Sequence, residues 1–282
     1  MVDAVDLVWD LTREHPTVGG ALVLRQEGEM LALRQGHSAL AVHLICKESD
    51  SLAAERLAQT IFGASIFPFH LIHSTATAAG WPPVLVRSQP DFSYFSFSRV
   101  IALHAESGLR PRLRWSKSQE ALARQERQKF RGRLVCVHLR SVAPFSPEES
   151  NADGRAWNAF FEANADAGVC DFLLIGDDPL PAGLDLRPGV TRAIDHQLGL
   201  STQLTLIGIS DGFLGMASGL CTAANFSETP HVIFKHPAHH AAEMARELGA
   251  SNSFSFAGYH QQLCRLEANA VTLDEAFHLI SS

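Results

Sequence analysis

Short apolar runs and amphipathic segments alternate along the chain. Val5–Trp9 and Ala39–Ile45 are mostly apolar runs, each with one polar residue (Asp6 and His43), and such runs are typical of buried parallel strands. The segment between them, ALVLRQEGEMLALRQ, carries its apolar residues at helical spacing, and Gly36 is placed to end that helix. Thr17-Val-Gly-Gly is predicted to break the chain between the strand and the helix. This part of the sequence therefore predicts one β-α-β unit.

The same alternation resumes beyond a different middle region. Residues 88–115 show no regular period, and the polar stretch SKSQEALARQERQK predicts an exposed connecting helix. Further strands are predicted at 134–139, 172–175, 213–216 and 232–234. Repeated β-then-α segments are typical of parallel sheets covered by helices on both faces. The sequence therefore predicts an α/β chain of two Rossmann-like domains that face each other, 1–120 and 130–282.

Composition narrows the class of protein further. The 282 residues are 46% hydrophobic and 19% charged, as in a soluble globular protein with a sizeable core. A net charge of −7 argues against a nucleic-acid partner. The five cysteines form no CxxC pair, the N-terminal MVDAVDLVWD lacks a signal-peptide layout, and no apolar run is long enough for a membrane helix. We therefore expect a cytoplasmic protein with reduced thiols and no integral membrane segment.

Candidate chemistry is sought where predicted parallel strands end. Ligands of open parallel sheets bind at the carboxyl ends of the strands, so the loops after Trp9, Leu139, Ile175 and Met216 are the places to examine. In the first of these regions, the candidates for a general base are Asp10, Glu14 and His15. The alternative for each of the three is an exposed loop charge.

The stretch VCVHLRS predicts a basic group at a strand end. His138 and Arg140 alternate with apolar residues and share one face. An arginine buried without a partner is costly, and the guanidinium fork matches two oxygens of a phosphate. Arg140 is therefore a candidate phosphate ligand; a surface arginine, or an ion pair with Asp153 or Asp177, is the alternative.

The stretch FLGMASGLCTAAN predicts a second anion-binding element. Ser218 and Gly219 follow a predicted strand and are expected to start a helix, whose N-terminal N–H groups attract anions. Gly219 would let a phosphate approach the backbone, and Ser218 or Thr222 would add a hydroxyl donor. The alternative is that Ser218 only caps the helix.

An overlapping motif indicates a different chemistry. Gly208-Ile-Ser210-Asp-Gly212 matches the G-x-S-x-G nucleophile elbow of serine hydrolases, and Asp274 and His278 follow in the Ser–Asp–His order. The residues before Ser210 have helical rather than strand spacing, which argues against the elbow. A serine hydrolase that uses Ser210 is kept as an alternative function.

The remaining polar motifs give no cofactor signature. Gly19-Gly20 does not complete a G-x-G-x-x-G fingerprint, and Asp177-Asp178 at a strand end is suited to a turn with Pro179 or to a sugar hydroxyl. The histidines are scattered and no HExxH is present, so we expect a protein with no metal and no cofactor.

Three pieces of the chain together resemble glycosyltransferases of the GT-B fold. They are the Gly-Gly segment before a helix ending in LRQGH, the strand VHLR, and FLGMASG followed by a helix and TPHVIF. The last is similar to the heptosyltransferase-type and fucosyltransferase-type families, in which Ser-Gly starts a helix beneath the donor diphosphate. The resemblance covers most of 134–236 and, loosely, the first 50 residues.

The resemblance implies roles for particular residues. Arg140 would bind the donor diphosphate, His138 shares its strand end, and Ser218, Gly219 and Thr222 would lie on the other side. Asp211 would lie just before the donor-site strand, Asp177 could meet a sugar hydroxyl, and Gly19 and Gly20 would border an acceptor cleft between the domains.

The function implied is metal-independent transfer of a sugar from a nucleotide-diphosphate donor to a hydroxyl of a glycan or small-molecule acceptor. The chain departs from the pattern, because VHLRS lacks the second Arg and the Asp of the fucosyltransferase-like group and the N-terminal half shows no decisive catalytic carboxylate. A non-catalytic sugar-nucleotide-binding protein of the same fold is therefore the alternative.

Overall fold

A computed structural model describes residues 3–12, 15–74, 86–88 (backbone only), 97–142, 151–166 and 168–282. The chain divides into two compact units, Met1–Lys117 and Ser118–Ser282. In both units every strand pairs with its neighbours in parallel. The expected α/β class with parallel sheets is confirmed.

Within its described residues, the first unit contains a four-stranded sheet and its helices. Its elements are β1 (Ala4–Leu11), α1 (Val18–Gln35), β2 (Ala39–Cys46), α2 (Glu48–Phe62), β3 (Phe69–His73), β4 (Val86–Ser88) and α3 (Ser98–Ser107). The strand order is β3-β2-β1-β4. The helix α3 lies in the middle region for which the sequence predicted no regular structure.

Helix α1 starts earlier than predicted and is buried on nearly all sides. Thr17 caps it by accepting a hydrogen bond from the Gly20 amide at 3.1 Å, so both glycines belong to the first turn and not to a break. The sequence prediction was wrong here because a cap of this kind allows a helix to contain glycines in its first turn. Gly36, with φ of 78°, ends the helix as predicted.

The part of the second unit that the structure describes contains a six-stranded sheet. Its elements are α4 (Lys117–Arg127), β5 (Arg133–His138), α5 (Gly154–Asn164), β6 (Cys170–Leu174), β7 (Val190–Arg192), α6 (Leu200–Ile209), β8 (Gly212–Met216), α7 (Cys221–Asn225), β9 (His231–Phe234), α8 (Ala241–Leu248), β10 (Gln261–Cys264) and α9 (Ala270–Ser281). The strand order is β10-β9-β8-β5-β6-β7. The edge strands β7 and β10 were not predicted, because their sequences, VTR and QQLC, are short and largely polar.

A cluster of aromatic rings fixes α5 and α9 on one face of the second sheet. Trp157, Phe160 and Phe161 of α5 meet Phe172 of β6 and Phe277 of α9, with ring centroids 5.2–5.7 Å apart where the pairs touch. Tilted and edge-on aromatic pairs of this kind add stability beyond the burial of their area. The loops at the carboxyl ends of the strands are thus built on a firmly packed sheet.

The helices of the described residues were also compared with the requirements of a membrane span. Among those residues, no helix combines the length and the apolar character needed to cross a bilayer.

Candidate functional site

The order of strands in the second unit defines where a ligand is expected. From β5, the chain places β6 and β7 on one side and β8, β9 and β10 on the other. Because the connections leave in opposite directions, a crevice forms between the carboxyl ends of β5 and β8. The residues at that crevice are those that follow His138 and Met216.

Arg140 bridges the two strand ends of this crevice. Its Nη1 donates to the carbonyl oxygen of Ala217 at 3.3 Å, and the side chain is half-buried. Its backbone carbonyl accepts from the Ala152 amide at 2.8 Å, just before the start of α5. A guanidinium held in this position carries a permanent charge at the switch point, which is suited to an anionic ligand.

His138 supports the crevice from within the sheet. Its Nδ1 lies 3.2 Å from the carbonyl oxygen of Ile175, and a carbonyl only accepts, so Nδ1 carries the proton. Burial lowers the pKa of His138 below its usual value, which keeps the ring neutral. The backbone at Gly215 packs so closely that a Cβ there would lie 2.8 Å from the His138 carbonyl oxygen. His138 therefore acts here as a neutral side chain that joins two strand ends.

The segment after β8 is a turn before a very short helix. α7 spans only Cys221–Asn225, so the prediction that Ser218-Gly219 starts the helix was wrong. The Ser218 hydroxyl accepts from the Leu220 amide at 3.2 Å, and the Cys221 thiol donates to the Met216 carbonyl oxygen at 3.0 Å. These local bonds shape the turn Ala217–Leu220, which is half-buried at the crevice. A helix of five residues adds little dipole, so the turn's own groups carry any anion binding.

Thr222 does not display its hydroxyl to a ligand. The residue is 1% exposed, and its Oγ1 has no hydrogen-bond partner among the described residues. It is the second residue of α7, but burial in the fold keeps its hydroxyl away from the surface of the crevice. Thr222 is therefore not placed to bind a ligand together with Ser218 and Gly219, which are half-buried at the crevice.

The loop after β6 reaches the same edge of the sheet. Gly176 adopts a φ of 94°, and its amide donates to the Gln203 side chain at 2.7 Å. Asp178 accepts from the Ser141 amide at 3.3 Å, which ties this loop to the one after β5. Asp177 is exposed beside them. The structure thus brings Asp177 to the edge that carries Arg140, and Gln203 is a supporting residue that the sequence analysis did not identify.

Asp211 lies at the opposite edge of the sheet. It precedes β8, and its carboxylate pairs with Arg127 at 2.7 Å and accepts from the Leu134 amide at 2.8 Å. Both contacts are made at the amino ends of β5 and β8. The structure therefore does not bring Asp211 to the crevice, and its evident role is to fix the start of the two central strands.

Ser210 does not occupy a nucleophile elbow. An elbow places the serine between a strand and a following helix, whereas Ser210 follows α6 and precedes β8. The residue is buried, and its hydroxyl lies 3.0 Å from the carbonyl oxygens of Ile207 and Gly212. Asp274 and His278 pair with each other on α9, at 3.4 Å. The order of elements argues against the serine hydrolase.

Lys235 is a further charged residue at the carboxyl edge. It directly follows β9, is 7% exposed, and its Nζ lies 3.1 Å from His240 Nδ1. Burial lowers the pKa of Lys235 to about 8. Its place at the end of the apolar strand HVIF was the signal that could have identified it.

A cavity of about 620 Å³ opens beside Lys235 within the second unit. Its floor is apolar, with Met216 and Phe234 at the ends of β8 and β9. Its walls are the segments that precede α5 and α9, at 151–153 and 265–268. The cavity therefore belongs to the same carboxyl edge as the crevice.

In the first unit, the corresponding crevice lies between β1 and β4. Asp10 is near the end of β1, and its Oδ1 accepts from both the amide and the hydroxyl of Thr12, at 3.0 and 2.7 Å. His15 is 87% exposed and lies 3.3 Å from Asp50, so it is not paired with Asp10. Gly19 and Gly20 lie in the first turn of α1, and Glu14 lies outside the described residues.

The described residues contain no cluster of side chains suited to a metal site. No group of three or more His, Cys, Asp or Glu side chains there could hold a metal ion. The expectation that the protein needs neither metal nor cofactor stays a prediction.

Comparison with solved structures identifies the fold. The chain is similar to ADP-heptose lipopolysaccharide heptosyltransferase II of E. coli, with a TM-score of 0.54 and 16% identity over 98% of each chain. It is also similar to a family 9 glycosyl transferase of Veillonella parvula, with a TM-score of 0.52 and 12% identity over 94% of this chain and 86% of the other. The expected GT-B-like fold is thus confirmed. At these identities the likeness establishes the fold alone.

Sequence comparisons add no closer relationship. No protein-family model and no curated protein matches the chain.

Proposed function

We propose that the protein is a glycosyltransferase that moves a sugar from a nucleotide-diphosphate donor to a hydroxyl of a glycan or small-molecule acceptor, without a metal ion. The observation that carries this proposal is Arg140, held across the ends of β5 and β8 beside the turn Ala217–Leu220. This is the switch point of a parallel sheet in a GT-B-like fold, and it presents a fixed cation and backbone amides to an anion.

The chemistry of transfer explains why a cation is placed there. The bond between the anomeric carbon and the diphosphate oxygen breaks, and the acceptor oxygen bonds to the anomeric carbon. The diphosphate leaves with additional negative charge, which Arg140 is suited to stabilise in the transition state. The acceptor proton passes to a base, for which the described candidates are Asp10, at the carboxyl edge of the first sheet, and His15.

A panel of nucleotide-linked sugars tests the donor. One structural neighbour is an ADP-heptose heptosyltransferase, so ADP-linked sugars come first, followed by GDP- and UDP-linked sugars. In thermal melting, a true donor at 100 times its Kd is expected to stabilise the protein by about 2.7 kcal/mol. The absence of a shift with every donor would contradict the proposal.

Substitution of Arg140 separates a binding role from a structural one. Arg140→Ala is expected to abolish the donor-induced shift while the unliganded protein still folds. Arg124→Ala on the exposed face of α4 is the matched control and should keep the full shift. A normal shift in Arg140→Ala would assign Arg140 to the structure alone.

One observation favours a non-catalytic donor-binding protein as the second candidate. The Asp10 carboxylate is engaged by the amide and hydroxyl of Thr12, in a local turn that needs no substrate. Donor binding without sugar transfer across a broad screen of acceptors would favour this candidate, whereas release of nucleoside diphosphate with a suitable acceptor would favour the transferase.

We place this activity in the cytoplasm. All five cysteines are free, and burial raises the pKa values of Cys136, Cys170 and Cys221 to between about 11 and about 12. Buried, unreactive thiols are typical of proteins in reducing compartments. Fractionation of cells that express the full-length protein tests the location.

A further inference from the structure

A second cation stands on the other side of the turn Ala217–Leu220 from Arg140. β8 lies between β5 and β9, so the residues that follow these three strands are neighbours at one edge of the sheet. Arg140 follows β5 and Lys235 follows β9. Adjacent parallel strands are about 4.8 Å apart, so the ends of β5 and β9 are roughly 10 Å apart, within reach of two long side chains.

The surroundings of Lys235 are unusual for a lysine. The residue is 7% exposed, whereas lysines are almost always left in water because desolvating an ammonium is costly. Its Nζ donates to the neutral ring of His240 at 3.1 Å. The charged and titratable groups that act on it include Glu247 and Glu243 of α8, Cys221 of α7, Arg140 and His240. Two cations are thus held close to one another, although their repulsion opposes this.

We propose that Lys235 and Arg140 form a two-cation clamp over the turn Ala217–Leu220, which binds both phosphoryl groups of a diphosphate and selects it over a single phosphate. The inference rests on the proposed donor site and adds a ligand-binding residue from a different strand. Two cations on opposite sides of the turn match two linked phosphoryl groups better than they match a single phosphate.

The clamp has a pH dependence that Arg140 alone would not give. Burial lowers the pKa of Lys235 to about 8, so its ammonium is present below that pH and is lost as the pH rises through it. A diphosphate favours the charged form. Affinity should therefore fall above about pH 8 in the native protein, since binding must then include the uptake of a proton.

Isothermal titration with inorganic pyrophosphate and with orthophosphate tests the clamp directly. Lys235→Met keeps the apolar stem and removes the buried charge, so the variant should fold with at least native thermal stability. It is expected to weaken pyrophosphate binding at least 10-fold, to weaken orthophosphate binding much less, and to lose the fall in affinity above pH 8. Lys129→Met, at an exposed lysine paired with Glu126 at 2.6 Å, is the matched control and should bind both as the native protein does.

A second variant separates charge from structure. Lys235→Arg keeps a cation that does not titrate in this range, so binding of pyrophosphate should persist without the loss above pH 8. Equal pyrophosphate affinity in the native protein and Lys235→Met would overturn the inference, as would a native protein that binds no pyrophosphate.

The two proposals fail in distinguishable ways. Donor sugars that stabilise the native protein and Lys235→Met equally, but do not stabilise Arg140→Ala, would support the donor site at Arg140 and contradict the role of Lys235. Pyrophosphate binding that depends on Lys235, without binding of any nucleotide sugar, would support the clamp and contradict the proposed function.

Discussion

The ion pair between Arg25 and Glu29 is expected to be a main determinant of the stability of the first unit. Both side chains are 0% exposed, and Arg25 Nε donates to Glu29 Oε1 at 2.7 Å within α1. The pair connects distant parts of the chain, because Arg25 also donates to the carbonyl oxygens of Ile61 and Arg114. Its guanidinium stacks 4.3 Å from the Trp115 ring.

Removing one partner of this pair leaves the other as an uncompensated buried charge. Arg25→Met and Glu29→Gln are each expected to cost about 3–5 kcal/mol of unfolding free energy. In the double variant neither charge is left, and the amide oxygen introduced by Glu29→Gln can still accept from Ser65, whose hydroxyl now bonds to Glu29 Oε1 at 2.6 Å. The cost of the double substitution should therefore fall below the sum of the single costs by at least about 2 kcal/mol.

Urea denaturation followed by tryptophan fluorescence measures these differences, since Trp9 and Trp115 report on the first unit. The exposed pair of Arg34 and Glu106 is the matched control, because its atoms are 2.6 Å apart and Arg34 is on the same helix. Its equivalent substitutions should cost less than about 1 kcal/mol. Additive costs at Arg25 and Glu29, or single costs similar to those of the control pair, would refute the reasoning.

Two further substitutions test the second unit. Gly215→Ala should push β5 and β8 apart, because its Cβ would lie 2.8 Å from the His138 carbonyl oxygen. The expected cost is about 1–3 kcal/mol of unfolding free energy, with weaker donor binding in melting assays. The control Gly199→Ala should cost little, because its Cβ would point into open space. Ser210→Ala should cost about 1 kcal/mol and leave any transferase activity unchanged, and labelling of the native protein at Ser210 by a fluorophosphonate would contradict this.

The sequence predicted the architecture because parallel strands leave a strong local signal. Both faces of such strands are buried, so Ala39–Ile45 and 134–139 are apolar except for one histidine each, and this signal can be identified without knowledge of the neighbouring strands. The edge strands β7 and β10, VTR and QQLC, are largely polar and give no such signal. Helix α3 was missed because it lies in 88–115, where the apolar residues follow no regular period; Val100 and Leu103 are its buried side chains.

Buried charge was beyond the reach of pattern analysis. Arg25 and Glu29 lie at i and i+4, a spacing that is ordinarily typical of an exposed helical ion pair. What buries them is the chain at Ile61 and Arg114, which is distant in sequence and supplies backbone carbonyls. Backbone acceptors have no sequence signature. Only the folded unit could show that α1 is enclosed on nearly all sides.

The candidate site shows the same limit in its geometry. Asp211 and Ser218 are close in sequence, and both were expected at one donor site. A strand rises about 3.3 Å per residue, so crossing the five residues of β8 separates its two ends by roughly 16 Å. Asp211 accordingly pairs with Arg127 at the amino edge. Ser218 lies at the carboxyl edge, next to Ala217, whose carbonyl oxygen accepts from Arg140. Lys235 reaches that edge from later in the chain because β9 ends there, so position relative to strand ends, rather than proximity in sequence, decides which residues can share a ligand.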